Sequence, residues 1–197
     1  MLLSTEPLLT YFSKFTQLGE AEKMYIKDHF KPRIYRRRQY VLQEGNVCDH
    51  YNFVVRGCLR MYKTDLKGNT HILQFTSEDG WIADVWSFND QSPSELNIDA
   101  LEDTIVLQIS YKDLTMLFDE FPAFDRIFRK LMENAYVALQ RRMFQNISSP
   151  AEDRYNFFMK VYPHLINRLP QVRIASFLGI TPEFLSRLRN RRVHGKS

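Results

Sequence analysis

Four glycines at nearly equal intervals constrain this chain more than any other feature. Gly45, Gly57, Gly68 and Gly80 lie 11 or 12 residues apart. Between them run short stretches rich in aromatic and β-branched residues: Tyr51-Asn52-Phe53-Val54-Val55, Cys58-Leu59-Arg60-Met61-Tyr62 and His71-Ile72-Leu73-Gln74-Phe75. Leu96 to Ala100 and Thr104 to Ser110 read likewise. Short strands with turn signals at this interval predict an antiparallel sandwich or barrel. Asp65-Leu66-Lys67-Gly68-Asn69 is read as a hairpin tip.

Helical segments flank this block. Gly19 to Phe30 has helical composition, with Met24 and its aliphatic neighbours placed to pack on the barrel. From Pro122 to about Ile147, Phe124, Phe128, Leu131, Ala135 and Leu139 recur at steps of 3 and 4, and Pro122 suits a first helical turn. Such a helix is ~39 Å long, more than one face of a small barrel needs. Its narrow stripe suits a coiled-coil seam between two copies or packing on the chain's own barrel. Asn146 to Ser149 is a hinge candidate. Ser149-Pro150-Ala151-Glu152 then reads as a capping box with Ser149 as the cap. Tyr155, Phe158, Met159 and Tyr162 form an apolar face that Pro163 ends. The expected organisation is α+β: an antiparallel β domain with flanking helices over 1–121, a long helix over 122–148 and an all-α domain over 149–197.

Charge divides along the same line. Residues 140–197 carry 11 Lys and Arg against 3 Asp and Glu, whereas 1–139 carry 16 against 20. A basic segment on a neutral-to-acidic body is the pattern of a chain that meets a polyanion with one end. A hydrophobic content of 44% excludes disorder as the main state. No run of about 18 apolar residues exists to span a membrane. The first residues lack the basic and small-residue pattern of a secretory signal, and two cysteines make no disulfide framework, so a cytoplasmic protein is expected.

Residues 171–190, QVRIASFLGITPEFLSRLRN, carry the function. A helix-turn-helix needs a small residue where two helices cross, a glycine for a left-handed turn, and apolar residues that fix the angle. Ala175, Gly179 and the aliphatics Ile174, Leu178, Ile180, Leu185 and Leu188 meet these needs at the right offsets. Thr181 and Pro182 supply an N-cap and a first-turn proline for the second helix. At 100° per residue, Phe184, Leu185 and Leu188 fall on its inner side, and Glu183, Ser186, Arg187 and Asn190 on its outer side. Arginine can bond guanine in a bidentate manner, glutamate can accept from cytosine, and asparagine pairs with adenine. Arg173, Arg189, Arg191 and Arg192 can neutralise phosphates around them. The other reading of this segment is a helical hairpin with a solvated polar face.

The order of parts resembles the Crp/Fnr family of bacterial transcription regulators. The resemblance rests on Gln43-Glu44-Gly45, Phe53-Val54-Val55-Arg56-Gly57, Asp65 to Asn69, Ile109-Ser110-Tyr111 and the segment Gly179 to Arg187, the last like the variant of Bacteroidetes-type members. It implies an N-terminal β-roll (jelly roll) of the cyclic-nucleotide-binding type, a dimerisation helix and a C-terminal helix-turn-helix. It further implies a homodimer on near-palindromic double-stranded DNA, with RNA polymerase as a further partner. Of the family's base-reading trio Glu183 and Arg187 match, while Pro182 stands where many members carry arginine, so a different half-site is expected. Arg191 to Ser197 is expected to be a basic tail, too short for the β-hairpin wing that members often carry.

The effector site departs from the family. Its cyclic-nucleotide binders hold the ribose with a Gly-Glu pair and the phosphate with an Arg-Ser pair; here those positions are Ala83-Asp84 and Ser94-Glu95. A phosphate needs a cationic, donor-rich cradle, so cyclic AMP is not expected as effector. Trp81, Trp86 and Phe88 either fill the pocket or line a site for another small molecule. An iron–sulfur cluster needs about four thiolates, and only Cys48 and Cys58 exist. His29, His50 and His71 each stand alone as haem ligands, so no cofactor or metal is expected. A cupin-like enzyme would need a His-x-His pair with a nearby glutamate, which is missing. A signalling adaptor whose helix-turn-helix binds protein is the remaining alternative.

Overall fold

The computed structural model describes residues 4–194, with side chains described as far as Arg191. In chain order the elements are α1 (Glu6–Ser13), α2 (Glu20–His29), β1 (Lys31–Tyr35), β2 (Tyr40–Leu42), β3 (His50–Arg56), β4 (Leu59–Thr64), β5 (Thr70–Thr76), β6 (Trp81–Ile82), α3 (Val85–Asp90), β7 (Asn97–Ala100), β8 (Thr104–Ser110), α4 (Tyr111–Glu120), α5 (Pro122–Ser148), α6 (Ala151–Val161), α7 (Gln171–Leu178) and α8 (Pro182–His194). Two compact units result: Met1–Lys63 with Gln74–Leu131, and Thr64–Leu73 with Met132–Ser197. The division falls inside α5, and the β4–β5 hairpin tip groups with the C-terminal helices.

The strands form two four-stranded sheets, ordered β1-β8-β3-β6 and β2-β7-β4-β5. In the first the registers run Lys31↔Gln108 to Tyr35↔Thr104 and His50↔Ser110 to Val54↔Val106. After Val54 one residue bulges before Arg56 meets Ile105, which bends the strand toward Gly57. This is an antiparallel sandwich, as the glycine spacing predicts, and its strand order is the jelly roll that the resemblance implies.

The core of the first unit is aromatic. Phe12, Phe30, Phe53 and Phe124 are fully buried. Trp81 sits among Tyr11, Phe12, Phe30, Tyr51, Phe53 and Phe128, with ring centroids 5.2–6.3 Å away. Each such side chain stabilises by roughly 1.5–3 kcal/mol through burial alone. Met24 does not join this core: it is exposed, and its neighbours Tyr25 and Ile26 are buried instead.

Two expectations about helix ends are corrected. α5 runs unbroken to Ser148, and the Ser149 N–H bonds Gln145 O at 3.0 Å, so no hinge opens at Asn146. Ser149 does not cap α6. The N-cap is Pro150, without a side-chain hydrogen bond, because Ser149 still belongs to the last turn of α5. α8 also continues through His194. With no glycine or proline before Gly195, the Arg-rich run keeps helical propensity, so Arg191 to His194 extend the helix.

Candidate nucleic-acid interface

The second unit holds the C-terminal part of α5 together with α6, α7 and α8. In α7, Ile174, Ala175, Phe177 and Leu178 are buried, and Gly179 ends the helix at φ 65°. In α8, Leu185 and Leu188 are buried. Thr181 opens α8 as read from the sequence, its hydroxyl oxygen accepting from Phe184 N–H at 3.2 Å. Pro182, in the first turn, is half-buried.

Glu183, Ser186, Arg187, Asn190 and Arg191 are all exposed, and Arg189 and Arg173 are half-buried. The Arg192 side chain lies outside the described residues. Phe184 departs from its expected inward place: it is 36% exposed, with the Arg187 guanidinium over its ring at 5.4 Å. The helix therefore buries a narrower stripe, and Phe184 supports Arg187 from the outer side. Glu183 is held below the usual carboxylate range by its own backbone N–H, the Thr181 hydroxyl and Arg187. It is an ionised acceptor at neutral pH.

The turn between the helices has a cap that the sequence reading missed. The last four carbonyls of a helix have no partner within it. Here Ile180 N–H takes Ala175 O at 3.0 Å and Gly179 N–H takes Ser176 O at 3.2 Å. The other two are taken by guanidinium groups: Arg142 of α5 donates to Phe177 O at 3.3 Å, and Arg154 of α6 donates to Leu178 O at 3.1 Å. Two cations at a helix C-terminus also complement its dipole. Neither arginine has a local signal, since the partners lie 35 and 24 residues away.

On α5, Phe124 and Phe128 are buried within their own unit, Phe124 against Phe12 at 5.1 Å and Phe128 against Phe118 at 5.1 Å. They are thus removed from the expected seam. Leu131 is half-buried, while Ala135 and Leu139 are exposed. Tyr136, Met143, Phe144 and Ile147 extend the exposed apolar face toward the C-terminus. Their 3- and 4-residue spacing was readable but lay beyond the stripe singled out.

In the roll, Asp84 caps α3 by accepting from the Trp86 and Ser87 N–H groups, and it accepts the Ser94 hydroxyl at 2.6 Å. Ala83, Asp84 and Ser94 are buried. Glu95 is exposed and ion-paired to Lys63. Trp86 is 69% exposed, its indole N–H bonded to Asp90 at 2.6 Å, and Trp81 is consumed by the aromatic core. Trp81 and Trp86 thus do not share a pocket. Phe88 is buried, 5.1 Å from Tyr51. Among the described residues no group of three or more His, Cys, Asp or Glu could hold a metal ion.

Residues 32–121 match the cyclic nucleotide-binding domain family. FixK2 from Bradyrhizobium japonicum superposes with a TM-score of 0.72 at 19% identity, over 84% of this chain and 86% of FixK2. The chain has the Crp/Fnr fold. A Crp/Fnr-family regulator from Eubacterium rectale gives 0.70 at 19% identity, over 94% of this chain and 89% of its own. CLP from Xanthomonas campestris, a c-di-GMP responsive global regulator, gives 0.68 at 15% identity, over 90% and 93%. No curated protein matches in sequence. Within that fold α7 and α8 form the helix-turn-helix. Among the described residues no helix is long and apolar enough to cross a membrane.

Proposed function

We propose that this chain is a sequence-specific, DNA-binding transcription regulator of the Crp/Fnr type, acting in the cytoplasm as a homodimer on near-palindromic duplex DNA. The observation that carries this reading is α8. It is capped by Thr181 and anchored by Leu185 and Leu188, and its polar residues Glu183, Ser186, Arg187 and Asn190 all face outward. An α-helix of this make-up fits the major groove, and a two-fold dimer sets half-sites about one turn apart. The exposed face of Ala135, Leu139, Met143 and Ile147 supplies the seam between protomers. RNA polymerase is the expected further partner.

The effector, if the roll takes one, is not cyclic AMP. The two residues at the phosphate position are a serine bonded to Asp84 and a glutamate bonded to Lys63, and neither offers a cation to a phosphate. Selection of bound duplexes from a random pool tests the proposal. A two-fold symmetric consensus whose affinity falls steeply with salt supports it; no enrichment of any duplex refutes it and favours a protein-binding adaptor.

A further inference from the structure

The two arginines that cap α7 do unequal work. Arg154 holds Leu178 O and, on its own side, Ser149 O at 2.9 Å. Arg142 holds Phe177 O, stacks on the Phe177 ring at 4.0 Å, and also donates to Ile72 O at 2.7 Å and to Leu73 O. Those two carbonyls belong to β5, next to the β4–β5 hairpin tip. A second bond joins the same pieces: the Ser176 hydroxyl of α7 donates to Thr70 O. The tip itself is stiffened by Asp65, which accepts from the Lys67 and Asn69 N–H groups at 2.9 Å and lies 2.9 Å from His71 Nε2.

Arg142 thus serves three carbonyls on two segments that are about 70 and 35 residues away from it in sequence. Among the described residues no carboxylate pairs with it: carbonyl dipoles and an aromatic face meet its charge, and its Nε has no acceptor. A lysine cannot reproduce this, because an ammonium is a compact point charge without the planar fork. A half-buried cation held in one geometry favours that geometry, since a shift of α7 or the hairpin leaves its donors without these acceptors.

We infer that Arg142 is a positioning residue for the DNA-reading helix, locking the α7–α8 turn to the β4–β5 hairpin tip so that a displacement of β5 is passed to α8. This rests on the DNA-binding reading above. β5 continues past Leu73 as a strand of the second sheet, which gives the roll a covalent lever on the turn.

The test compares the full-length chain with Arg142→Gln, Arg154→Gln and Ser176→Ala, by amide hydrogen exchange and by binding to the selected duplex and to a random duplex. Arg142→Gln is expected to speed exchange about tenfold in both the Thr70–Leu73 segment and the α7–α8 turn, as lost charge-assisted bonds would. Arg154→Gln speeds it in the turn alone. Affinity for the selected duplex falls about tenfold with Arg142→Gln while random-duplex binding holds, because misplaced base contacts lose specificity and not phosphate attraction. Ser176→Ala, which removes only the hydroxyl bonded to Thr70 O, gives a smaller change of the same kind in the hairpin. Unchanged hairpin exchange in both Arg142→Gln and Ser176→Ala overturns the inference, as does equal loss on both duplexes. If the parent chain binds no duplex, the DNA reading fails, and the exchange data still decide whether Arg142 joins the two segments.

Discussion

The Ser94 hydroxyl donates to Asp84 Oδ2 at 2.6 Å, while the other oxygen of the same carboxylate caps α3. Both residues occupy positions where the resemblance places nucleotide contacts, and each is already engaged by the other. Asp84→Ala removes the cap at a cost of about 1–2 kcal/mol. The stranded hydroxyl adds little, because it can turn to Leu96 O at 3.2 Å. Urea denaturation measures this. Calorimetry with cyclic AMP is expected to show no saturable heat in either protein.

Arg187 is exposed and steadied by the Phe184 ring. Arg187→Ala is expected to weaken binding to the selected duplex by about 1–3 kcal/mol and to relax preference at one base pair. Phe184→Ala leaves the guanidinium in place but less ordered, and should give a smaller loss with the same base preference. Titrations against single-base variants of the consensus distinguish the two.

The legibility of this chain follows the range of its interactions. The β-roll strands, the α7–α8 turn and the Thr181 cap rest on short-range patterns: alternation, a left-handed glycine, a side chain three residues from its N–H. All could be read. Ser149 was misread because a capping-box pattern is local, whereas the helix before it persisted through Ser148. Phe184 was misplaced because a helical wheel assigns sides but cannot say how wide the buried stripe is. Arg142, Arg154 and the Asp84–Ser94 bond are long-range pairings with no periodicity, so nothing in the sequence marks them. The swallowing of Phe124 and Phe128 by α1 and α4 aromatics belongs to the same class.

Gly57 and Gly179 both have positive φ, 105° and 65°, yet they should respond differently to alanine. At Gly179 a Cβ meets nothing within 4 Å, so the cost is the left-handed conformation alone, about 1–2 kcal/mol. At Gly57 a Cβ would stand 2.4 Å from Thr104 Oγ1 and 2.7 Å from Thr104 Cα. Backbone cannot yield as a flexible side chain does, and the Thr104 hydroxyl oxygen also accepts from Cys58 N–H. Gly57→Ala is therefore expected to be the more destabilising of the two, by at least about 1–3 kcal/mol. Thermal unfolding of both variants, run side by side, ranks them.

Cys48 is 3% exposed, and burial pushes its thiol up to about 11. The folded chain then holds its proton where the unfolded chain has lost it. The native state binds more protons, so stability declines as pH rises from the ordinary thiol range through about 11. The same shift keeps the thiol protonated at pH 8, where the thiolate is the reactive form. Iodoacetamide at that pH should leave Cys48 unmodified in the native chain and label it in urea, as read by mass spectrometry.

Arg60 and Asp99 face each other across β4 and β7 with two 2.7 Å bonds, Nε to Oδ1 and Nη2 to Oδ2. Both are buried, and the Tyr62 ring lies 4.1 Å from the guanidinium. A pair this dry contributes little over an apolar one, because desolvation offsets the attraction, but breaking it strands a charge. Arg60 is poorly placed to recover, since its Nη1 already lacks an acceptor among the described residues. Asp99→Ala should thus cost about 3–5 kcal/mol, whereas Arg60→Met combined with Asp99→Leu should lie near the parent in stability. If Asp99→Ala costs under about 1 kcal/mol, the range of exposed pairs, water reaches the guanidinium and the pair is a surface one.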